Sequence, residues 1–362
     1  VKAHDTALDT ALGVEVWEPW VGVEVTEPGL DPYWLTVVEG VYTESGDEWP
    51  RATLEVTCPT SLRPAATRAP DPWGSVIRLY SGARVRGVLH SFQVATLHVD
   101  QATITRPEDE LVIHAVSREA CVNEDRITTR AATGAGTVGA LVASLVHNTF
   151  PGLTVTNTLT TNPYLPAGAY PLDGDVWPTI VELMLEAGGE AVFAPDGTLI
   201  LRDLPVKGTP VASLRVGSGG TLTGYNSVKR WAYNKVAIVY DDGTSRMVGL
   251  WEDTTSTSST RVAGPYGRHT YVETVNVDTG HLPTLARANA AARALGRKAA
   301  SPYRRVEVEG VPVPWIEPGD TVGITYLGDL TESVLVARNT WPLSQLNVGT
   351  ITTADDAYTQ GV

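Results

Sequence analysis

The sequence predicts a mainly β protein with α+β character: two barrel-like β domains, a small α/β domain, and an inserted helical and loop domain. Three observations carry this. From Val14 to Val116 short apolar–polar alternations recur with turn residues between them, the pattern of a sandwich or barrel. The period then lengthens to that of helices and closes on a hairpin near Asp203. From Asn226 strands return, interrupted by one alanine-rich helix over 283–299.

In the first β region Val21, Val23 and Val25 alternate with Gly22, Glu24 and Thr26, which makes a half-buried strand. Segments 34–42, 52–57, 75–80, 83–89, 96–99 and 110–116 follow it as further strands. Between them stand Glu27-Pro28-Gly29, Ser45-Gly46-Asp47, Ser81-Gly82 and Pro107-Glu108-Asp109, rich in residues that favour turns. The first predicted helix, Gly136–Phe150, places Val138, Leu141, Val142, Leu145 and Val146 on one stripe, and Pro151-Gly152 ends it. A second begins at Asp175 as N-cap, buries Trp177, Ile180, Val181 and Met184, and stops at Gly188-Gly189. Pro195-Asp196-Gly197 is the turn of a hairpin.

The segment 226–247 reads as β, with Val236, Ile238 and Tyr240 alternating, and Asp253–Thr260 as a mobile Ser/Thr-rich loop. Pro283–Ala299 is the third helix, with Arg293, Arg297 and Lys298 near its negative end. Segments 305–311, 321–326 and 333–337 are the last strands. The predicted domains are 1–118, a first barrel-like domain; 119–204, a small α/β domain; 205–250 with 302–350, a second barrel-like domain; 251–301, an insertion carrying the third helix; and 351–362, a C-terminal tail.

Composition narrows the function. With 43% hydrophobic residues in 362, the chain can fill more than one core. No run of 18 apolar residues is present, so no membrane-spanning helix is expected, and Val1–Leu12, with Asp5 and Asp9, does not read as a signal peptide. A formal net charge of −14 argues against non-specific nucleic-acid binding, which needs Lys and Arg on phosphates. Residues 1–60 hold twelve acidic and two basic side chains, a local charge of −10. Cys58 and Cys121 allow one bridge at most and no zinc site by themselves.

Catalytic patterns are weak. Gly134-Ala135-Gly136-Thr137-Val138-Gly139 matches G-x-G-x-x-G, but a dinucleotide site also needs a buried strand before it and an acid about 20 residues on. No Asp or Glu occurs between Asp125 and Asp173. The seven histidines make no metal-ligand spacing, although His90 and His98 share strand parity. No G-x-S-x-G elbow is present, and Ser218 sits in a Gly-rich loop. A glycosidase carboxylate pair is decided by separation in space rather than spacing in sequence. Ten tryptophans suit core or interface anchoring, or sugar stacking where exposed.

An ordered set of motifs resembles the phage tail baseplate hub family, including the hub part of tail-associated lysins. Trp73-Gly74-Ser75-Val76-Ile77-Arg78-Leu79-Tyr80 is similar to its Gly-x-hydrophobic-x-hydrophobic strand. Trp177–Gly189 with Glu190-Ala191-Val192-Phe193-Ala194-Pro195-Asp196-Gly197-Thr198-Leu199 is similar to its helix, double glycine and Asp-Gly-x-Leu hairpin. Tyr233-Asn234-Lys235-Val236-Ala237-Ile238-Val239-Tyr240 is similar to its Asn-x-Val-x-Val strand, and Ile316-Glu317-Pro318-Gly319-Asp320-Thr321-Val322 to its Pro-Gly-Asp-x-Val turn. The resemblance covers residues 70–345 and is weakest over the first 60.

The resemblance implies a structural protein of a virion tail tip, assembled in the bacterial cytoplasm, rather than an enzyme, and no cofactor or metal. It implies a homotrimer whose two barrel-like domains per subunit make a pseudo-sixfold tube ring, siphovirus-like rather than contractile. Implied partners are a distal tail or tail tube protein, the tape measure protein, other tip or fibre proteins, and phage DNA passing through without specific binding. With the chain ending at Val362, no lysin or fibre domain is expected after the hub. Within this reading Glu15, Glu18, Glu24 and Glu27 are candidate channel-lining residues, since an acidic wall does not hold a duplex. Trp17, Trp20, Trp34, Trp49 and Trp73 are candidate interface anchors. The rival readings are a cell-wall or polysaccharide hydrolase of the tail tip and a glycan-binding, adhesin-like tail protein.

Overall fold

The computed structural model describes residues 2–5, 8, 17–46, 48–60, 69–72, 74–106, 109–125, 127–132, 134–168, 171–216, 221–256, 258–277, 280–300, 304–326, 330–343 and 348–354. Alternation in the first region becomes seven antiparallel strands: β1 (Trp17–Thr26), β2 (Tyr33–Leu35), β3 (Glu39–Ser45), β4 (Ala52–Pro59), β5 (Val76–Val85), β6 (Val88–Thr105) and β7 (Glu110–Ser117). The middle region holds the helices α1 (Arg118–Glu124), α2 (Val138–Thr149) and α3 (Val176–Ala187). Its strands are β8 (Ile127–Ala132), β9 (Gly136–Thr137), β10 (Val155–Asn157), β11 (Tyr164–Leu165), β12 (Pro171–Gly174), β13 (Gly189–Phe193) and β14 (Leu199–Asp203). Gly188 ends α3 at φ +71°, a left-handed cap that glycine reaches without strain.

In the last region β15 (Ala212–Arg215) and β16 (Leu222–Lys229) are followed by β17 (Lys235–Asp241), β18 (Arg246–Glu252), β19 (Thr270–Asn276) and α4 (Leu285–Ala300). The chain closes with β20 (Arg304–Gly310), β21 (Thr321–Tyr326), β22 (Leu330–Pro342) and β23 (Gly349–Ala354). The expected continuous β segment 226–247 divides in two. β16 stays in the large sheet beside β20, whereas β17 pairs with β18 and, in parallel, with β19 in a three-stranded sheet of its own. This layer is covered by α4, and it packs so closely that a Cβ on Gly249 of β18 would lie 2.0 Å from the Ala288 carbonyl oxygen.

The two outer regions join edge to edge. β22 pairs antiparallel with β3, from Arg338 opposite Ser45 to Pro342 opposite Val41, and makes one 13-stranded sheet of them. Their apolar faces form a single core running from Val23 and Leu79 to Val322 and Ile351, with Tyr42 and Trp341 packed across the seam at 5.4 Å between ring centroids. A second core is shared by α2, α3, β14, β17, β19 and α4, so the middle region and the inserted layer are packed as one body.

Three local expectations change. Tyr80 faces Gln93 while Leu79 faces Ala95, so Val94 is a bulge residue that inverts the side-chain parity of β6. His90 and His98 therefore lie on opposite faces: His90 meets Asp5 at 2.7 Å, and His98 is buried against Phe150. The loop after β18 is organised around the Asp253 carboxylate, which accepts from the Ser258 and Thr260 hydroxyls at 2.5 and 2.7 Å. Val181, expected in the buried face of α3, is 39% exposed.

Candidate functional site

The seam is held by charge as well as by strands. The Glu44 carboxylate on β3 accepts from the Lys2 ammonium and, at 3.2 Å, from the Tyr42 hydroxyl. Arg51, just before β4, lies 3.7 Å from Glu44 and 3.7 Å from Glu190 of β13, and donates to the Pro318 carbonyl at 3.0 Å. Arg202 of β14 pairs with the same Glu190 at 2.9 Å. Burial opposes the charge on Arg51, but Glu190 and Glu44 outweigh it and hold the guanidinium more firmly protonated than usual. Burial and Glu44 together push the Tyr42 phenol well above its ordinary range. The N-terminal segment is part of this joint: the Lys2 amide donates to Trp315 O at 2.9 Å and His4 stacks on the Trp315 ring.

A second surface is the solvent face of β1, β2 and β5. Strand parity turns Glu18, Trp20, Gly22 and Glu24 outward, opposite Arg84, Gly82, Tyr80 and Arg78. A Cβ on Gly22 would lie 2.4 Å from the Trp20 ring and 2.7 Å from the Trp34 ring, so the two indoles close over the glycine. Trp34, 51% exposed, also packs on Tyr80. Of the acids expected to line a channel, Glu18 is exposed, and Glu24 is half-buried and paired with Arg78 at 3.2 Å. Glu27 is only 1% exposed and takes the Tyr33 hydroxyl, so it is not available to line a channel; Glu15 lies outside the described residues. Of the expected anchors, Trp17 opens β1 opposite Val85, Trp20 and Trp34 share this face, Trp49 lies elsewhere, and Trp73 is outside the described residues.

Trp49 belongs to a third feature, a groove of 560 Å³ between α3, the β17–β19 layer and the loop before β4. It opens beside a 250 Å³ hollow that shares Trp49, Trp177, Val181 and Leu185. Its walls are mostly apolar, yet Glu182 of α3 and Glu273 of β19 stand in it. Tyr271 donates its hydroxyl to Glu273. Burial, with Glu273 and Glu186 beside it, pushes the Glu182 carboxyl up to about 7. Glu186 has its own cation, Arg287 of α4, whose Nε lies 2.6 Å away. Asn123 of α1, 8% exposed, completes the polar lining. Sequence reasoning missed this groove; the one signal in the helix was Glu182 directly after an apolar residue that the packing leaves uncovered.

The glycine motif serves the fold. β9 pairs antiparallel with β11, and the first amides of α2 are taken by protein groups: Val138 N donates to Pro163 O at 3.0 Å, Gly139 N to Asn162 Oδ1 at 2.9 Å. A Cβ at Gly139 would lie 2.2 Å from the Asn157 amide nitrogen, so no space is left there for a phosphate. Cys58 and Cys121 are unbridged, and burial pushes the Cys121 thiol up to about 12, far from a reactive thiolate. Among the described residues no group of three His, Cys, Asp or Glu side chains could hold a metal ion.

No protein-family model matches the chain, and no curated protein matches it in sequence. Solved structures do match in fold. A tail protein from Neisseria meningitidis MC58 is 14% identical at a TM-score of 0.66, covering 93% of this chain and 97% of that one. The 43 kDa tail protein of prophage MuSo2 from Shewanella oneidensis is 12% identical at 0.63, with 94% and 100% covered. The prophage tail protein gp18 from Listeria monocytogenes EGD-e is 11% identical at 0.57, with 92% and 94% covered. The fold of this chain is that of phage tail proteins over nearly its whole length.

Proposed function

We propose that the chain is a structural hub of a phage tail tip, three copies of which form a ring that joins the tail tube to the tip and passes DNA during ejection. The observation that carries this reading is the seam. Two β regions of one chain already meet edge to edge through β22 and β3; at the far end of the first region β2 is paired on one side only among the described residues, whereas β16 also meets the end of β15 through the bridge between Val216 and Leu222. An unpaired edge is a template for another strand, and closing a ring satisfies every edge. Three copies with two such regions each supply six tube segments around a closed axis.

In this reading the proposed units are the two sheet halves, on either side of the seam, and the smaller body made of the middle region and the inserted layer. A distal tail or tube protein meets one face of the ring, and the tape measure protein and other tip or fibre proteins meet the remainder. The Trp20–Trp34–Tyr80 cluster is an apolar anchor for such a contact, and Glu18 and Glu24 are the acids best placed to face a bore. Structural neighbours that are tail proteins support a structural rather than catalytic role.

Light scattering on the purified chain tests the ring. A particle of three 38.7 kDa chains with a central opening in negative-stain images is expected. A monomer at every concentration, both alone and mixed with the tail tube protein, would overturn it.

A further inference from the structure

We propose that the groove between α3, β19 and the Trp49 loop is a docking site for an arginine side chain, flanked by apolar residues, on a segment of another protein chain. The inference stands on the groove alone and does not need the ring. Its 560 Å³ falls within the ~300–1,000 Å³ of ordinary ligand clefts. Glu182 of α3 and Glu273 of β19 both line it, and no Lys or Arg does among the described residues. Arg287 of α4 is already committed to Glu186. Asn123, only 8% exposed, also lines the groove and adds an amide to its polar groups.

Guanidinium chemistry answers each of these features. Its planar fork donates to two carboxylates and to an amide oxygen at once, and its face lies flat on an indole. Trp49, 49% exposed at the rim, is placed for that stacking. An ammonium lacks the fork, and a neutral sugar leaves the carboxylate repulsion in place. Val181 and Leu185 give the apolar flanks a surface to cover.

The groups facing Glu182 are Glu273 with its Tyr271 hydroxyl, Glu186 with Arg287, and Asp175 and Tyr240 on the groove walls. Docking a cation requires Glu182 ionised. Since that carboxyl sits at about 7, proton competition makes binding about tenfold weaker at pH 6 than at pH 8.

The test is titration of the full chain with the acetylated tripeptide amide Leu-Arg-Leu, its citrulline counterpart, and a chito-oligosaccharide. The arginine peptide is expected to bind at pH 8 with a millimolar or tighter Kd, and the citrulline peptide about tenfold more weakly. The double variant Glu182→Gln with Glu273→Gln is expected to weaken the arginine peptide about tenfold and abolish its pH dependence. Both changes keep hydrogen-bond acceptors, and circular dichroism checks the fold. Equal affinity for the two peptides, no loss in the double variant, or no binding at pH 8 would overturn the proposal. Binding of the oligosaccharide alone, lost in Trp49→Ala, would reassign the groove to a glycan.

Discussion

At the scale of single residues, acids of the same type end in opposite environments. Glu44 is sealed between Lys2, Tyr42 and Arg51, and Glu182 is half-buried with the like charges of Glu273 and Glu186 beside it. Glu44→Gln leaves Lys2 and Arg51 short of a counter-charge inside the protein, and is expected to cost about 3–5 kcal/mol in urea unfolding. For Glu182 the sign is reversed. Its folded pKa of about 7 lies above the ordinary 4.5 of a glutamate, so the folded state binds the extra proton and stability falls as pH rises from 4.5 through 7. Glu182→Gln is therefore expected to raise the melting temperature at pH 8 and leave it nearly unchanged at pH 4, read by calorimetry at both pH values. None of this was legible from acid counts. The run of twelve acids in residues 1–60 reads as a surface, yet Glu27 and Glu44 are buried, because Tyr33, Lys2 and Arg51 come to them through the fold. A buried carboxylate is identified by its partner, and partners up to 42 positions away are invisible to local pattern.

At the scale of elements, periodicity found the helices well. The predicted 136–150, 175–188 and 283–299 became α2, α3 and α4 within a few residues, since a stripe of apolar residues and a glycine stop are local facts. The predicted turn Pro195-Asp196-Gly197 joins β13 to β14, with Gly197 at φ +87°. Strand neighbours were harder. Alternation in 235–240 says that one face is buried, not that the partner is the parallel strand β19 beyond a long connection. Parity also failed at Val94, where one inserted residue turns His98 away from the face of His90. The close contact of β18 with α4 yields a prediction at this scale. Gly249→Ala puts a methyl into the Ala288 backbone, which no rotamer can relieve, and is expected to lower stability by about 1–3 kcal/mol in thermal unfolding. An equal melting temperature would show that the helix lifts without loss.

At the scale of the whole molecule, one sheet carries both β regions, while a second core unites the middle region and the inserted layer. If the Trp20–Trp34 face anchors assembly, replacing both residues with Ala leaves a folded subunit, because Trp34 is half exposed and the core lies on the other side of β1. Tail assembly in complementation is then expected to fail, and normal virions would remove the anchor role. The seam has a consequence for descent as well. Its five residue pairs, Arg338–Pro342 against Val41–Ser45, are joined by main-chain amides and carbonyls, which every amino acid except proline supplies in full. Such a joint asks almost nothing of side-chain identity, so a lineage can replace most of its residues while the two halves stay locked in register. A fold joined this way admits very different spellings: the same architecture stands in the Neisseria tail protein, where only 14% of the letters agree.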